Sequence, residues 1–311
     1  MKTIRLSLFA PLAIAATLLF ATSCDNDDDM PTVAAKKSIA EIAQSDTTFS
    51  ILVSALQKAN LVSTLNGSGD FTVFAPTNTA FRKLFATLKV SGINDLSAAQ
   101  LTPILLYHVV GKSVVSSKLT TSYVNTLSNY NTTYPMSIYV NVSSGVKINN
   151  TSKVTAADIM ASNGVVHVVD AVLLPPSVVG IAINNPNFSI LVDAVVKAGL
   201  VNALSAAGPF TIFAPTNEAF TALFASLKVS GVADLTAEQL TPILTYHVLG
   251  SFKQASSITT GSYSTLNGAA LQINASTSGV KINTSTDVVV TDLFGTNGVV
   301  HAINKVLLPP S

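Results

Sequence analysis

Residues 71–81 read FTVFAPTNTAF, and residues 210–220 read FTIFAPTNEAF, the same segment displaced by 139 positions. Residues 101–111, LTPILLYHVVG, return at the same displacement as LTPILTYHVLG at 240–250. Residues 163–176, NGVVHVVDAVLLPP, return as NGVVHAINKVLLPP at 297–310, displaced by only 134, so the second copy is five residues shorter. A unit of about 135–140 residues has the size of an independent domain, not of a solenoid repeat. The chain therefore reads as a tandem pair in which each copy owns a core. The copies meet at Pro175-Pro176-Ser177, a stiff junction that predicts a semi-rigid arrangement.

Within a copy the hydrophobic period switches between helix and strand. Phe49, Leu52, Val53 and Leu56, and again Phe188, Leu191, Val192 and Val195, are spaced to line one helical face. Phe71 to Ala75 reads as a buried strand stopped by Pro76. Thr77 then caps a helix with Phe81, Leu84, Phe85 and Leu88 on its apolar face. Ser97 with Gln100, and Thr236 with Gln239, have capping-box spacing and open the helices that lead to Tyr107-His108 and Tyr246-His247. From Val114 to Leu174 the sequence is rich in valine, serine and threonine and reads as several antiparallel strands. The class is α+β, helices first and strands later.

The 311 residues are 48% hydrophobic and 11% charged, with 17 basic against 16 acidic side chains. That composition supports folded cores and offers no basic field for nucleic acid. The single cysteine, Cys24, excludes an internal disulfide framework and a thiolate zinc cluster. Lys2 and Arg5 precede an apolar stretch to Ala21 that is interrupted by Pro11, and Ala21-Thr22-Ser23 leads into Cys24. Residues 1–23 read as a secretory signal whose end resembles a bacterial lipobox, which implies lipidation of Cys24. Residues 24–37 begin with Asp25, Asp27, Asp28 and Asp29 and read as a solvated linker. Acidic residues in this place resemble the tag that exports lipoproteins to the cell surface of some Gram-negative groups. No later segment reaches the roughly eighteen continuous apolar residues of a spanning helix.

FAPTNTAF, Tyr107-His108 and NGVVHVVDAVLLPP, all duplicated, resemble the signature segments of fasciclin domains. The resemblance covers residues 38–176 as one fasciclin-like domain and 177–311 as a second. It implies that each is a β-wedge of about seven strands with a cluster of helices. It also implies adhesion or matrix association, with no enzymatic activity and no cofactor. Some animal members engage integrins through Asp-Ile and Tyr-His segments. The corresponding residues are Asp158, Ile159, Tyr107 and His108 in the first copy, and Asp292, Leu293, Tyr246 and His247 in the second.

Read from the residues alone, His108, His167, His247 and His301 suit buried, hydrogen-bonded imidazoles better than a metal site, since Asp170 near His167 becomes Asn304 in the second copy. Asn163-Gly164 and Asn297-Gly298 read as turn formers. Leu266 to Ala269 predicts a two-residue type I′ hairpin, where the first copy has the longer Ser128 to Pro135. Tyr130 and Tyr134 in that insertion form a candidate exposed contact surface whose trimming should weaken binding without lowering the melting temperature.

The expected protein is an outer-membrane lipoprotein exposed at the cell surface that binds an extracellular protein or polysaccharide, with weak self-association between molecules. A periplasmic structural or assembly factor is the alternative. A hydrolytic or metal-dependent enzyme ranks below both.

Overall fold

The computed structural model describes residues 36–310; the signal segment, Cys24 and the aspartate tract lie outside the described residues. Lobe 1 opens with helices α1 (Ile39–Ser45), α2 (Ser50–Lys58) and α3 (Val62–Asn66), then strand β1 (Phe71–Pro76). Helices α4 (Asn78–Leu88) and α5 (Ala98–Tyr107) follow. The lobe closes with strands β2 (Val109–Val110), β3 (Ser122–Tyr130), β4 (Tyr134–Asn141), β5 (Lys147–Ile148), β6 (Ser152–Ala161) and β7 (Gly164–Val169). Lobe 2 repeats the order with α6 (Val178–Asn184), α7 (Ser189–Lys197), α8 (Val201–Ser205), β8 (Phe210–Pro215), α9 (Asn217–Leu227) and α10 (Ala237–Tyr246). Its remaining strands are β9 (Val248–Leu249), β10 (Gly261–Ser264), β11 (Ala270–Ser276), β12 (Gly279–Ile282), β13 (Thr286–Gly295) and β14 (Gly298–Ile303).

The two sheets have seven strands each and one topology, β2-β1-β7-β6-β5-β4-β3 in lobe 1 and its equivalent in lobe 2. The class is α+β, as the period switching implies. The strands between Val114 and Leu174 pair antiparallel as expected, and one pairing in each lobe is parallel: β1 with β7, Val73 standing opposite Val166, and β8 with β14. β1 reaches that position because helices α4 and α5 separate it from the later strands, giving the long crossover that parallel pairing requires.

Alternation along β1 divides the interior of the lobe. Val73 and Ala75 face a helical core with Leu52, Leu56, Phe81 and Leu105. Phe74 points the other way, into a wedge core with Tyr107, Ile138, Ile148 and Val169. The predicted caps form: Thr77 Oγ1 accepts the Ala80 N–H at 3.3 Å, and Ser97 and Gln100 bond each other's backbone N–H groups. One predicted core position fails, because Leu88 in the last turn of α4 is 42% exposed. Lys89 ends that helix in the left-handed conformation at φ 56°, and the chain turns away before Leu88 is covered.

The lobes form one compact unit, and the inserted residues of lobe 1 lie where they touch. Tyr130 and Tyr134 are half-buried, each with its ring centroid 5.1 Å from that of Phe252 in lobe 2, and Tyr134 also stacks on Phe294. Asn185 Nδ2 donates to the Tyr123 hydroxyl at 2.9 Å across the same boundary. The exposed-surface expectation for Tyr130 and Tyr134 is therefore corrected: the rings are spent on the neighbouring lobe. The hairpin expectation is corrected too. Type I′ backbone occurs in lobe 1, with Asn131 at φ 48° and Thr132 at φ 62°, closed by the Thr133 N–H on the Tyr130 carbonyl. In lobe 2 Gly268 is at φ 97° but Asn267 is not at positive φ, and Thr265 to Ala269 form a five-residue loop. The Pro176 carbonyl accepts from Thr296 at 2.8 Å, and a Cβ on Gly295 would stand 2.9 Å from that same oxygen. The junction is pinned to lobe 2 through a position that must lack a side chain.

Candidate functional site

The Tyr-His pairs close helices α5 and α10. Tyr107 is fully buried, its hydroxyl donating to the Ser137 carbonyl at 2.8 Å and accepting from Asn149 Nδ2 at 3.0 Å. Burial pushes its phenol well above the ordinary tyrosine range. Tyr246 repeats the pattern with the Ala270 carbonyl and Asn283.

Each histidine is held at both ring nitrogens. The Leu173 N–H donates to His108 Nε2 at 2.8 Å, so the ring proton sits on Nδ1 and is donated to the Ile104 carbonyl at 2.8 Å. His247 does the same between Leu307 and Ile243. Complete burial lowers both rings from 6.5 to about 4, against the weaker upward pull of the carbonyl bond. His167 uses the opposite tautomer: Nδ1 accepts the Asp158 N–H at 3.2 Å and Nε2 donates to the Val114 carbonyl at 2.9 Å. His301 copies it with Asp292 and Lys253. These imidazoles tie distant backbone segments together, and none has a nitrogen free to take a substrate proton or a metal. Among the described residues no three His, Cys, Asp or Glu side chains gather to hold an ion.

The predicted contact residues therefore separate into two groups. Tyr107, His108, Tyr246 and His247 lie at 0–2% exposure and present nothing to a partner, which corrects the contact role that the resemblance implies for them. Asp158 and Asp292 are different. Both sit at φ 62° on bulges in β6 and β13, where the register with the neighbouring strand shifts. The Asp158 side chain is 38% exposed and lies 3.9 Å from His167. Its carboxylate accepts the Ser116 hydroxyl and, at 2.7 Å, the Ser116 N–H, and these two bonds hold it below the usual carboxylate range. Asp292 keeps only the N–H bond, from Ala255 at 2.8 Å. Ile159 is half-buried and Leu293 is buried.

Composition and motif reading missed two features. The first is the exposed apolar strip beside each bulge: Ala156, Ala157 and Met160 in lobe 1, with Met160 50% exposed, and Val289 and Val290 in lobe 2, 52% and 38% exposed. The second is Asn163, whose side chain accepts the Ile39 N–H at 2.9 Å and donates to the Leu65 and Gly67 carbonyls at 2.8 and 3.0 Å. Asn297 holds Val178, Leu204 and Ala206 in the same way. Both asparagines stand in the duplicated NGVVH segment, so the repetition marked them but their buried bonding did not show.

Two seven-stranded wedges with helical layers, joined as a tandem pair, define a double fasciclin-type protein. The chain belongs to the fasciclin family: the fasciclin-domain family model matches residues 47–175 and again 186–309. It is 32% identical over 250 residues to transforming growth factor-beta-induced protein ig-h3 of Sus scrofa, covering 79% of this chain and 36% of that one. It is 30% identical over 251 residues to periostin of Homo sapiens, covering 79% and 29%. The chain thus spans about a third of the length of these animal relatives. Protein sll1483 of Synechocystis sp. is 44% identical over 134 residues, 43% of this chain and 74% of its own. Among solved structures, a FAS1 domain pair from the insect cell adhesion molecule fasciclin I superposes with a TM-score of 0.51 at 20% identity, covering 82% of this chain and 97% of that one. That likeness concerns the fold.

Proposed function

We propose that this protein is a cell-surface adhesion lipoprotein that holds extracellular protein or polysaccharide through the outward faces of its two lobes. The observation that carries the reading is the disposition of its reactive side chains. Every histidine is committed to backbone at both nitrogens, while apolar strips beside Asp158 and Asp292 stand open. Such a molecule suits attachment better than turnover. The names of relatives support the same direction, since fasciclin I is described as a cell adhesion molecule.

A lipid on Cys24 would tether the pair, and the aspartates after it would hold the lobes clear of the bilayer. Two modest sites on one tethered unit then act together, because linkage raises the effective concentration of the second. Proteinase shaving of intact cells, with mass spectrometry of the mature N-terminus, tests anchor and exposure together. A diacylated Cys24 peptide and protease-sensitive lobes are expected. Protection of the lobes in intact cells would move the protein to the periplasm and favour an assembly role. Beads carrying the purified pair should adhere to at least one class in an array of matrix proteins and polysaccharides, and binding to none would end the adhesion reading.

A further inference from the structure

The duplication supplies an internal control for a cavity in the helical layer of lobe 2. It lies under α6, α7 and α8 and above β8, and has a volume of roughly 110 Å³. The equivalent space in lobe 1 is reduced to roughly 20 Å³. Inside, Ile39 and Leu56 of lobe 1 are replaced by Val178 and Val195, each a methylene shorter, while Ala40→Val179 and Val73→Ile212 add carbons elsewhere in the lining without closing the space. At the mouth, exposed Gln44 and Gln57 of lobe 1 correspond to Ile183 and Val196, which are 50% and 60% exposed.

Unfilled apolar space weakens a core, and an apolar rim is poorly matched to water. Lobe 2 carries both, where its twin has only the smaller void and glutamines at the rim. The wall is aliphatic apart from Phe213 and His247, and both nitrogens of His247 are already bonded to backbone. The interior therefore has nothing to offer a polar group and would reject one. Its volume is somewhat below the ~150 Å³ of an apolar cavity that admits benzene. Val201 and Leu204 of α8 line it beside the valines of α6 and α7, so the guest that fits is slender and aliphatic.

We propose that the helical layer of lobe 2 is a binding site for the alkyl chain of a fatty-acyl molecule, inserted methyl end first, and that lobe 1 has no such site. The methyl end fills the void between Val178 and Val195, the chain leaves across Ile183 and Val196, and the head group stays in solvent. The inference stands apart from the adhesion reading.

Methyl-labelled mature protein titrated with octanoate below its micellar concentration tests it. Saturable shifts are expected at Val178, Val195, Val201 and Leu204, with none at Ile39 or Leu56. 1-Octanol should bind within about threefold of octanoate, because the head group is not recognised. The V178I/V195L variant, which restores the residues of lobe 1, should bind at least tenfold more weakly and melt no lower than wild type. The I183Q/V196Q variant should weaken binding while leaving the melting temperature unchanged, which separates loss of the site from loss of the fold. Absence of saturable shifts, equal shifts in lobe 1, or undiminished affinity in V178I/V195L would each overturn the proposal. So would shifts confined to Ile183 and Val196 that appear with phosphatidylcholine vesicles and not with octanoate, since these would mark a membrane-contacting face.

Discussion

Tyr134 of lobe 1 stacks on Phe294 of lobe 2, with ring centroids 5.0 Å apart and ring planes 27° from parallel. The contact exists because the β3–β4 hairpin is extended in lobe 1 and shortened in lobe 2. It is also one-directional. The residues of lobe 1 equivalent to Phe252 and Phe294 are Ser113 and Met160, and lobe 2 has no tyrosines at its shorter hairpin. The insertion thus fastens one copy to the other and does not offer the same fastening to a third.

Replacing Phe252 by alanine should test that fastening most cleanly, since its ring touches Tyr130, Tyr134 and Phe294. A half-buried aromatic at such a junction contributes about 2–3 kcal/mol. Urea unfolding of the variant should resolve into two transitions where the wild type shows one. Val289→Ala, on an exposed position, should leave the single transition within about 0.5 kcal/mol of wild type. A single unshifted transition for Phe252→Ala would mean that the rings do not couple the lobes.

The histidines predict acid sensitivity above the carboxylate range. His108 and His247 are neutral in the fold with pKa values of about 4, against 6.5 for the free side chain. As pH falls the unfolded chain therefore takes up protons first. The stability these rings contribute is complete above pH 6.5 and is lost as pH drops towards 4, at about 3 kcal/mol per ring. Burial lowers His301 in the same direction. The urea midpoint should fall between pH 7 and pH 4.5, and ring resonances of His108 and His247 should show no titration near 6.5. Rings that titrate at 6.5 would contradict their burial.

Asn163→Ala should cost about 2–4 kcal/mol, because it strands the Ile39 N–H and the Leu65 carbonyl without partners inside the lobe. Asn297→Ala should cost a similar amount in lobe 2. Hydrogen exchange localises the effect: the amides of Ile39 and Val178 should lose protection in their respective variants. Unchanged exchange at either amide would show that the asparagine is not what holds it.

Much of the fold was legible in the sequence because it was written twice. The caps at Thr77, Ser97 and Thr236 depend on residues within three positions of one another, and all three formed. The parallel pairing of β1 with β7 joins residues about ninety positions apart, and nothing in the local alternation of FTVFA specifies its partner. Tyr130 and Tyr134 were misjudged for the same reason: two tyrosines at a polar turn look exposed until Phe252 and Phe294 arrive from the other copy. Leu266 to Ala269 misled because the Asn-Gly pair favours type I′ geometry only when the flanking strands reach the turn, and β10 stops at Ser264. At the candidate site, the change of Asp170 to Asn304 between the copies points to buried imidazoles, but the tautomers and the apolar strip around Met160 depend on the bulge at Asp158.

The most direct measurement is the number of beads bearing the mature pair that stay bound to an array-selected ligand surface, compared with beads bearing A156E/M160E. Both positions are exposed, so the variant should keep its melting temperature. Attachment through the outward strip predicts at least a tenfold drop in bound beads. Equal binding by the two proteins, with melting temperatures matched, would contradict it.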